Sequence, residues 1–363
     1  MLRALVVSLV LGSPWPPPQN AFDVQRQAAL DQVMWVEQAY MERLGPRGAE
    51  WRGRVKTEET TLLNSLEWLS ENAEGDQALR LAVPLAYFWT YDGRAVESRE
   101  VLAKVIALPS AAAPTVIRAR ALYDAGQLAF SQGDQQAAHA FDDESLRIYR
   151  RLNDKGGMAM ALVSLSRVAL RDLDFASVRR YAEESAVLRR DLGDKRGQAT
   201  AMHLLAAVAR MQGQYSKAAE LYQFSLDANR AGGYDDSVAA ESFDLGYVRL
   251  RQGNIVEAKK LFMDSLRIYR GLQDDAGIAL NLTGFAAIAV EQKQPTRAAR
   301  LYGSALAILD RLHITFEPDE QLEVDHYTAK LLILIAPDAF EAAATEGRTT
   351  SIERAIALAL GGS

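Results

Sequence analysis

The side chains that could carry out chemistry do not form a recognisable catalytic set. The four histidines are far apart in the sequence and lack the spacing of metal ligands: His139, His203, His313 and His326. Without cysteine, the chain has no disulfide, thiolate nucleophile or cysteine-bound zinc. Motifs for a zinc-protease helix, a serine nucleophile, a phosphate-binding loop and a dinucleotide site are all missing from the sequence. We therefore predict a protein that is not an enzyme, with no cofactor and no metal.

Carboxylates are plentiful, and several of them cluster in short stretches. These stretches read FDDES at 141–145, GYDDS at 233–237 and EPDEQLEVD at 317–325. Charge runs on helices and turns are usually exposed to solvent. The third stretch also lacks the glycine and the ligand spacing of a calcium loop. We interpret all three as surface.

The composition is that of a globular protein, with 49% hydrophobic and 24% charged residues among 363. The net charge of −6 provides no basic field that would favour nucleic acid. The chain is longer than one compact domain usually is, and a repeat array is one way to fold such a length.

A period of 40 residues organises the middle of the chain. The blocks 121–160, 161–200, 201–240, 241–280 and 281–320 align without an insertion. One column of this alignment is small and mostly polar: Ser145, Ser185, Ser225, Ser265 and Ala305. Another is small and apolar: Ala138, Val178, Ala218, Ala258 and Ala298. This register indicates an internal structural repeat.

Each block carries two apolar stripes at helical spacing, separated by a short turn that often contains glycine. One pair of antiparallel helices cannot bury both stripes, so successive pairs must stack. The sequence therefore predicts an all-α superhelix, an α-solenoid. Gly232 and Gly233 interrupt the pattern, and we expect the second helix of that block to end early.

The repeat resembles the tetratricopeptide pattern of a small residue, a large apolar residue and another small residue. Two blocks show it clearly, with Ala218, Tyr222 and Ser225 in one and Ala258, Phe262 and Ser265 in the next. The usual unit has 34 residues, and the six more found here lengthen the second helix and its link. The resemblance implies a right-handed superhelix.

The flanking segments 51–109 and 346–360 resemble the C-terminal sensor half of bacterial signal-transduction ATPases of the STAND type, including LuxR-type and antibiotic-regulatory activators. In that family the sensor binds an inducer or a partner protein and releases the ATPase. This sequence has neither a phosphate-binding loop nor a helix-turn-helix segment, so ATP hydrolysis and DNA binding do not carry over.

The tetratricopeptide resemblance also implies a binding groove, lined by the first helix (helix A) of each pair. The register assigns these candidate groove residues: Tyr123, Gln127, Arg167, Arg171, His203, Phe243, Tyr247 and Arg251. Aromatic and arginine side chains are typical of binding hot spots, and a guanidinium fork suits carboxylate or phosphate. The alternative is that the aromatics pack between helices and the arginines pair with acidic neighbours.

We predict four segments: a leader at 1–23, capping helices at 24–80, six helical pairs at 81–320 and C-terminal capping helices at 321–363. Within the leader, Arg3 and the apolar run of residues 4–11 have the form of a secretory signal. Export follows if residues 1–13 act as such a signal, and a cytoplasmic location follows otherwise.

The predicted function is a non-catalytic binding module in signalling or transcriptional regulation. Its partner would be a protein, a peptide or a small-molecule inducer, with no direct nucleic-acid contact and no membrane span. The alternatives are a stand-alone sensor half that regulates a separate ATPase or transcription factor in trans, and an exported interaction scaffold.

Overall fold

The computed structural model describes residues 20–361, and this part of the chain is helical, without β-strands. The chain divides into two compact units, one up to Asp134 and one from Gln135 onward. Of the predicted leader at 1–23, residues 1–19 lie outside the described residues, and residues 21–23 belong to the first helix. The prediction of an all-α fold is confirmed.

The first unit contains six α-helices and a short 3-10 turn. Its helices are α1 (Ala21–Met41), α2 (Gly48–Thr57), α3 (Glu59–Glu71), α4 (Gly75–Tyr91), α5 (Ala95–Ile106) and α6 (Val116–Ser131). Leucines of α3 and α4, among them Leu62, Leu69 and Leu79, are completely buried. Arg80 of α4 forms an ion pair of 2.6 Å with Glu37 of α1, so polar as well as apolar contacts join these helices.

The second unit contains the remaining twelve helices of the described residues. They are α7 (Gln135–Leu152), α8 (Lys155–Arg171), α9 (Phe175–Asp191), α10 (Lys195–Met211), α11 (Tyr215–Gly232), α12 (Asp235–Arg251), α13 (Ile255–Leu272), α14 (Asp275–Glu291), α15 (Pro295–Leu312), α16 (Pro318–Leu334), α17 (Pro337–Arg348) and α18 (Ile352–Leu360). The helices α8, α10, α12 and α14 begin 40 residues apart, as the repeat requires.

An aspartate starts three of these helix-A elements. Asp154, Asp194 and Asp274 accept hydrogen bonds of 2.8–3.0 Å from the backbone N–H three residues later. Such a cap satisfies one of the N–H groups that lack a partner in the first turn of a helix. The repeated Asp therefore fixes where α8, α10 and α14 begin.

The serine column joins the two helices of a pair. Ser185 of α9 donates to the carbonyl of Ala159 in α8 at 2.9 Å, and Ser225 of α11 donates to Ala199 in α10 at 2.9 Å. A small side chain at this position allows close approach, and its hydroxyl is satisfied across the contact. The column thus serves packing within the array rather than a ligand.

The expected early end of the second helix near Gly232 is wrong. The helix α11 continues to Gly232 and has 18 residues, like α13 and α15. Gly233 adopts a left-handed conformation (φ 70°) and only caps the helix. A glycine at this position is the common way to end a helix at its normal length.

The end of the array is covered by α17 and α18. At Gly303 of α15 a Cβ atom would collide with the backbone of Ala344 in α17, and at Gly347 one would collide with the backbone of Arg300. The two helix backbones are therefore in direct contact. Ser304 also donates to the carbonyl of Gly347 at 2.9 Å.

Among residues 20–361, the helices are too short or too polar to cross a membrane.

Candidate functional site

The helix α16 lies on the face that the sequence assigns to the groove. We call the side of α8, α10, α12 and α14 that contacts α16 the helix-A face. The helix α16 follows α15 in the chain and crosses the helix-A face. Glu317 is its N-cap residue, and Glu320 completes a capping box. The acidic stretch at 317–325, expected to be solvent-exposed, is therefore partly buried between helices.

Three arginines, one from each of three successive repeats, hold the first turns of α16. Arg171 of α8 pairs with Glu317 at 2.6 Å, Arg210 of α10 pairs with Asp319, and Arg251 of α12 pairs with Glu323 at 3.0 Å. We call Arg171, Arg210 and Arg251 the arginine row. Farther along α16, Lys330 pairs with Glu291 of α14 at 2.6 Å.

An apolar contact follows the ion pairs along α16. Tyr327 and Leu331 are buried, and the ring of Tyr327 lies 6.2 Å from that of Tyr247 in α12. The hydroxyl of Tyr247 is 2.8 Å from that of Thr283 in α14. The face of α16 toward the array thus changes from acidic to apolar along its length.

Burial makes the charges of this region unusually interdependent. The side chain of Arg210 is fully buried and lies 3.2 Å from Asp244 as well as against Asp319. Burial opposes its charge, but Tyr222 and the nearby carboxylates raise the pKa of Arg210 well above its ordinary value. A guanidinium buried in this way needs carboxylate partners, because they offset the free energy of removing its charge from water.

Several neighbouring groups have shifted pKa values for the same reason. Burial raises the pKa of Glu320 to about 8, with a further contribution from Asp319. Burial also raises the pKa of Asp244 to about 6, although Arg210 and His203 act in the opposite direction. At neutral pH, Glu320 therefore carries a proton more often than an exposed glutamate would.

His203 belongs to this cluster and is not isolated. Its Nδ1 lies 3.2 Å from Glu241 and 3.8 Å from Asp244. Burial acts to lower the pKa of His203, but these two carboxylates outweigh it and raise the pKa to about 9. The ring is cationic at neutral pH, which leaves an ion pair rather than a metal ligand as its role here.

Five of the six predicted groove residues of the second unit fall into two groups. Arg171, Arg251 and His203 form ion pairs with carboxylates. Phe243 and Tyr247 are buried against Phe262, with ring centroids 5.8 and 5.2 Å away. Both rings are almost completely buried. Tyr327 of α16 lies against Tyr247, so a ligand would reach Tyr247 from this side only if α16 moved.

Arg167 is the exposed member of the set. Its charge acts on buried Asp142, whose pKa is raised to about 7 by burial, while a hydrogen bond from Ser164 opposes that rise. The side chain of Arg167 is therefore accessible to solvent, and its contact with a partner stays a prediction.

Tyr123 and Gln127 belong to the first unit. The guanidinium of Arg120 lies 5.7 Å from the centre of the Tyr123 ring. Gln127 lines a small cavity of about 130 Å³ together with Tyr87 and Asp124. Their role in binding stays a prediction.

Sequence reasoning missed Arg210 and its partner Asp319. A signal was present, because Arg210 occupies a column in which the neighbouring repeats have Leu170 and Leu250. A single arginine in a buried apolar column indicates a buried acidic partner elsewhere in the chain. The repeat alignment alone could not say where that partner lies.

The part of the chain that the structure describes contains no group of three or more His, Asp or Glu side chains arranged to hold a metal ion.

The family model described as "Tetratricopeptide repeat" matches residues 118–156. The chain contains a tetratricopeptide repeat. No curated protein matches the sequence.

Solved structures share this fold at low sequence identity. Aspartyl phosphate phosphatase F from Bacillus subtilis is 9% identical with a TM-score of 0.54, covering 88% of this chain and 96% of that chain. A Rap protein complexed with Competence and Sporulation Factor is 9% identical with a TM-score of 0.53, covering 90% and 99% respectively. NprR in complex with its cognate peptide NprX is 14% identical with a TM-score of 0.51, covering 84% and 98%. The predicted tetratricopeptide-like solenoid is confirmed.

Proposed function

We propose that this protein is a non-catalytic binding module that holds a protein or peptide segment on its helix-A face. The observation that carries this proposal is α16 itself. The face already binds a helical segment of the same chain, through one guanidinium from each of three successive repeats. Guanidinium forks arranged in this way recognise carboxylates with defined geometry.

One protein of the same fold supports a polypeptide ligand in preference to a small inducer, because it was solved with its cognate peptide NprX. A face built from repeated helices also suits an extended or helical segment, because each repeat adds contacts along its length.

The flanks suggest a role in signalling or transcriptional regulation. They resemble the sensor half of STAND-type regulators, and the sequence has no phosphate-binding loop. We propose that the protein takes part in the regulation of an ATPase or a transcription factor, with its binding face as the sensor.

Selection of peptides from a displayed library against the full chain tests this function. Arg167→Ala should weaken a selected peptide by about 1.5–3 kcal/mol, the range for a hydrogen bond to a charged group. The melting temperature is measured beside the affinity, because Arg167 also acts on the charge of buried Asp142. Fluorescence anisotropy gives the affinity.

Arg147→Ala is the matched control, since Arg147 is 65% exposed on α7 and pairs only locally with Asp143. Equal losses in the two variants, or no selectable peptide, would argue against a binding face at Arg167.

A further inference from the structure

The helix α16 is not needed to close the end of the array. The backbones of α15 and α17 touch at Gly303 and Gly347, and α18 packs on the same side through Arg297, which donates to the carbonyl of Ala359 at 2.9 Å. The end helix α15 is thus covered by α17 and α18. The position of α16 on the helix-A face needs a different explanation.

Both ends of α16 are non-helical joints. His313 ends α15 in a left-handed conformation (φ 56°), and Ile335 is extended (φ −139°). Pro318 and Pro337 start α16 and α17, so no continuous helix forces α16 into its place. The helix α16 is therefore connected to its neighbours at both ends by non-helical backbone, and side-chain contacts hold it in position. We call α16 the strap.

Those contacts define what any occupant of this surface must contain. Asp319, Glu323, Tyr327 and Leu331 recur at intervals of four residues on one side of α16, and all four are buried. Glu317 adds a carboxylate ahead of them. An occupant without carboxylates would remove the partner that Asp319 supplies and leave buried Arg210 with Asp244 alone of these two, which is unfavourable.

We propose that the arginine row and Tyr247 form a docking site for an acidic amphipathic helix of a partner protein, with α16 as its internal competitor. The partner helix would carry carboxylates at the places of Glu317, Asp319 and Glu323 and an aromatic residue at the place of Tyr327. This rests on the proposed function and names its partner class. Charge complementarity supports it, because the surface presents cations that the chain itself covers with carboxylates.

A synthetic peptide with the sequence of residues 316–334 serves as the probe. A tethered strap has an effective concentration of roughly millimolar, so the wild-type chain should bind the peptide weakly. The full-length variant E317A/E323A loses two strap carboxylates and should bind at least tenfold more tightly. Asp325→Ala is the control, because exposed Asp325 bonds Gln321 on the same helix. It should bind like the wild type.

A locked strap provides the opposite test. The sequence has no cysteine, so E291C/K330C places the only two thiols at an existing contact between α14 and α16. Joining them with a short bismaleimide should abolish peptide binding, whereas the unjoined variant, which lacks the Lys330–Glu291 ion pair, should bind at least as tightly as the wild type. The comparison of the joined with the unjoined E291C/K330C chain tests the proposal even if E317A/E323A fails to fold.

A third experiment exchanges the charges of Arg171 and of the peptide residue at the place of Glu317. On the E317A/E323A chain, Arg171→Glu should reduce affinity for the peptide at least tenfold. A peptide with arginine at the place of Glu317 should recover most of that loss, since the charges are then exchanged.

Equal binding to wild-type, opened and locked chains would place the peptide elsewhere and overturn the proposal. Absence of binding to an opened chain that remains folded by circular dichroism would make α16 a permanent part of the core. A doubled mass in light scattering would mean that a second copy supplies the occupant, and would also overturn it. Library peptides that still bind through Arg167 in any of these cases would leave the proposed function intact.

Discussion

At the scale of single residues, Arg210 of the helix-A face combines complete burial with two ion pairs. Its side chain is fully buried, and Asp244 and Asp319 pair with it from two different helices. The free energy of removing these charges from water is recovered only while all partners are present. Removing the arginine alone would leave the buried carboxylates of Asp244 and Asp319 without this cationic partner.

We expect Arg210→Met to lower the free energy of unfolding by about 3–5 kcal/mol near neutral pH, the range for a broken buried ion pair. The loss should shrink at pH 5, because Asp244 has a pKa of about 6 and takes up a proton there. Urea denaturation followed by circular dichroism measures both values.

Arg147→Ala again provides the comparison, since an exposed local pair contributes about 0–1 kcal/mol. Similar losses for the two arginines would mean that Arg210 is not buried as described.

At the scale of helices, the repeat couples a glycine at the start of helix A to an aromatic at the end of the preceding helix. A Cβ atom at Gly157 would overlap the ring of Tyr149, and one at Gly277 would overlap the ring of Tyr269. The second repeat has Arg189 at the corresponding place beside Gly197. The glycine is therefore a packing requirement of the link between repeats.

Gly157→Ala should lower the free energy of unfolding by about 1–3 kcal/mol, as overpacking does when the neighbour cannot move. Tyr149 is buried and has little room to give way. Thermal unfolding monitored by circular dichroism tests this.

The neighbouring Gly156→Ala is a close control, because its nearest contact to a new Cβ is an ordinary 3.4 Å. It should leave stability unchanged or raise it by up to about 1 kcal/mol through helix propensity. A larger loss at Gly156 than at Gly157 would contradict the packing argument.

At the scale of the whole molecule, His203 and Glu320 of the second unit change stability with pH in the same direction. The pKa of His203 is raised to about 9, so the stability it contributes is present below pH 6.5 and is lost as the pH rises through 9. The pKa of Glu320 is raised to about 8 by burial, so its ionisation between pH 4.5 and 8 also favours unfolding. Both effects lower stability toward alkaline pH.

The urea midpoint should therefore be lower at pH 9 than at pH 6. Glu320→Gln should make the decline between pH 5 and 8 shallower, because it removes one of the groups that ionise there. Asp325→Asn, on the exposed side of α16, should leave the profile unchanged. A profile that rises from pH 6 to pH 9 would show that these charges are not buried together.

Much of the fold could be predicted because it is encoded locally and then repeated. The 40-residue period, the helix pairs and the stacking columns follow from residues such as Ser185 and Ser225, whose partners lie only 26 residues away. Gly232 shows the limit of local reasoning, since a glycine pair can cap a helix at full length as well as shorten it.

The sequence by itself determined the all-α class, the repeat and the positions of the helix-A side chains. Only the tertiary structure decided what covers them. The partners of Arg171, Arg210 and Arg251 in α16 lie 146, 109 and 72 residues away along the chain. The acidic stretch of α16 lies outside the repeat, so no periodicity relates its carboxylates to the arginines. Their pairing depends on where the joints after α15 and before α17 direct the strap, which is a property of the folded chain.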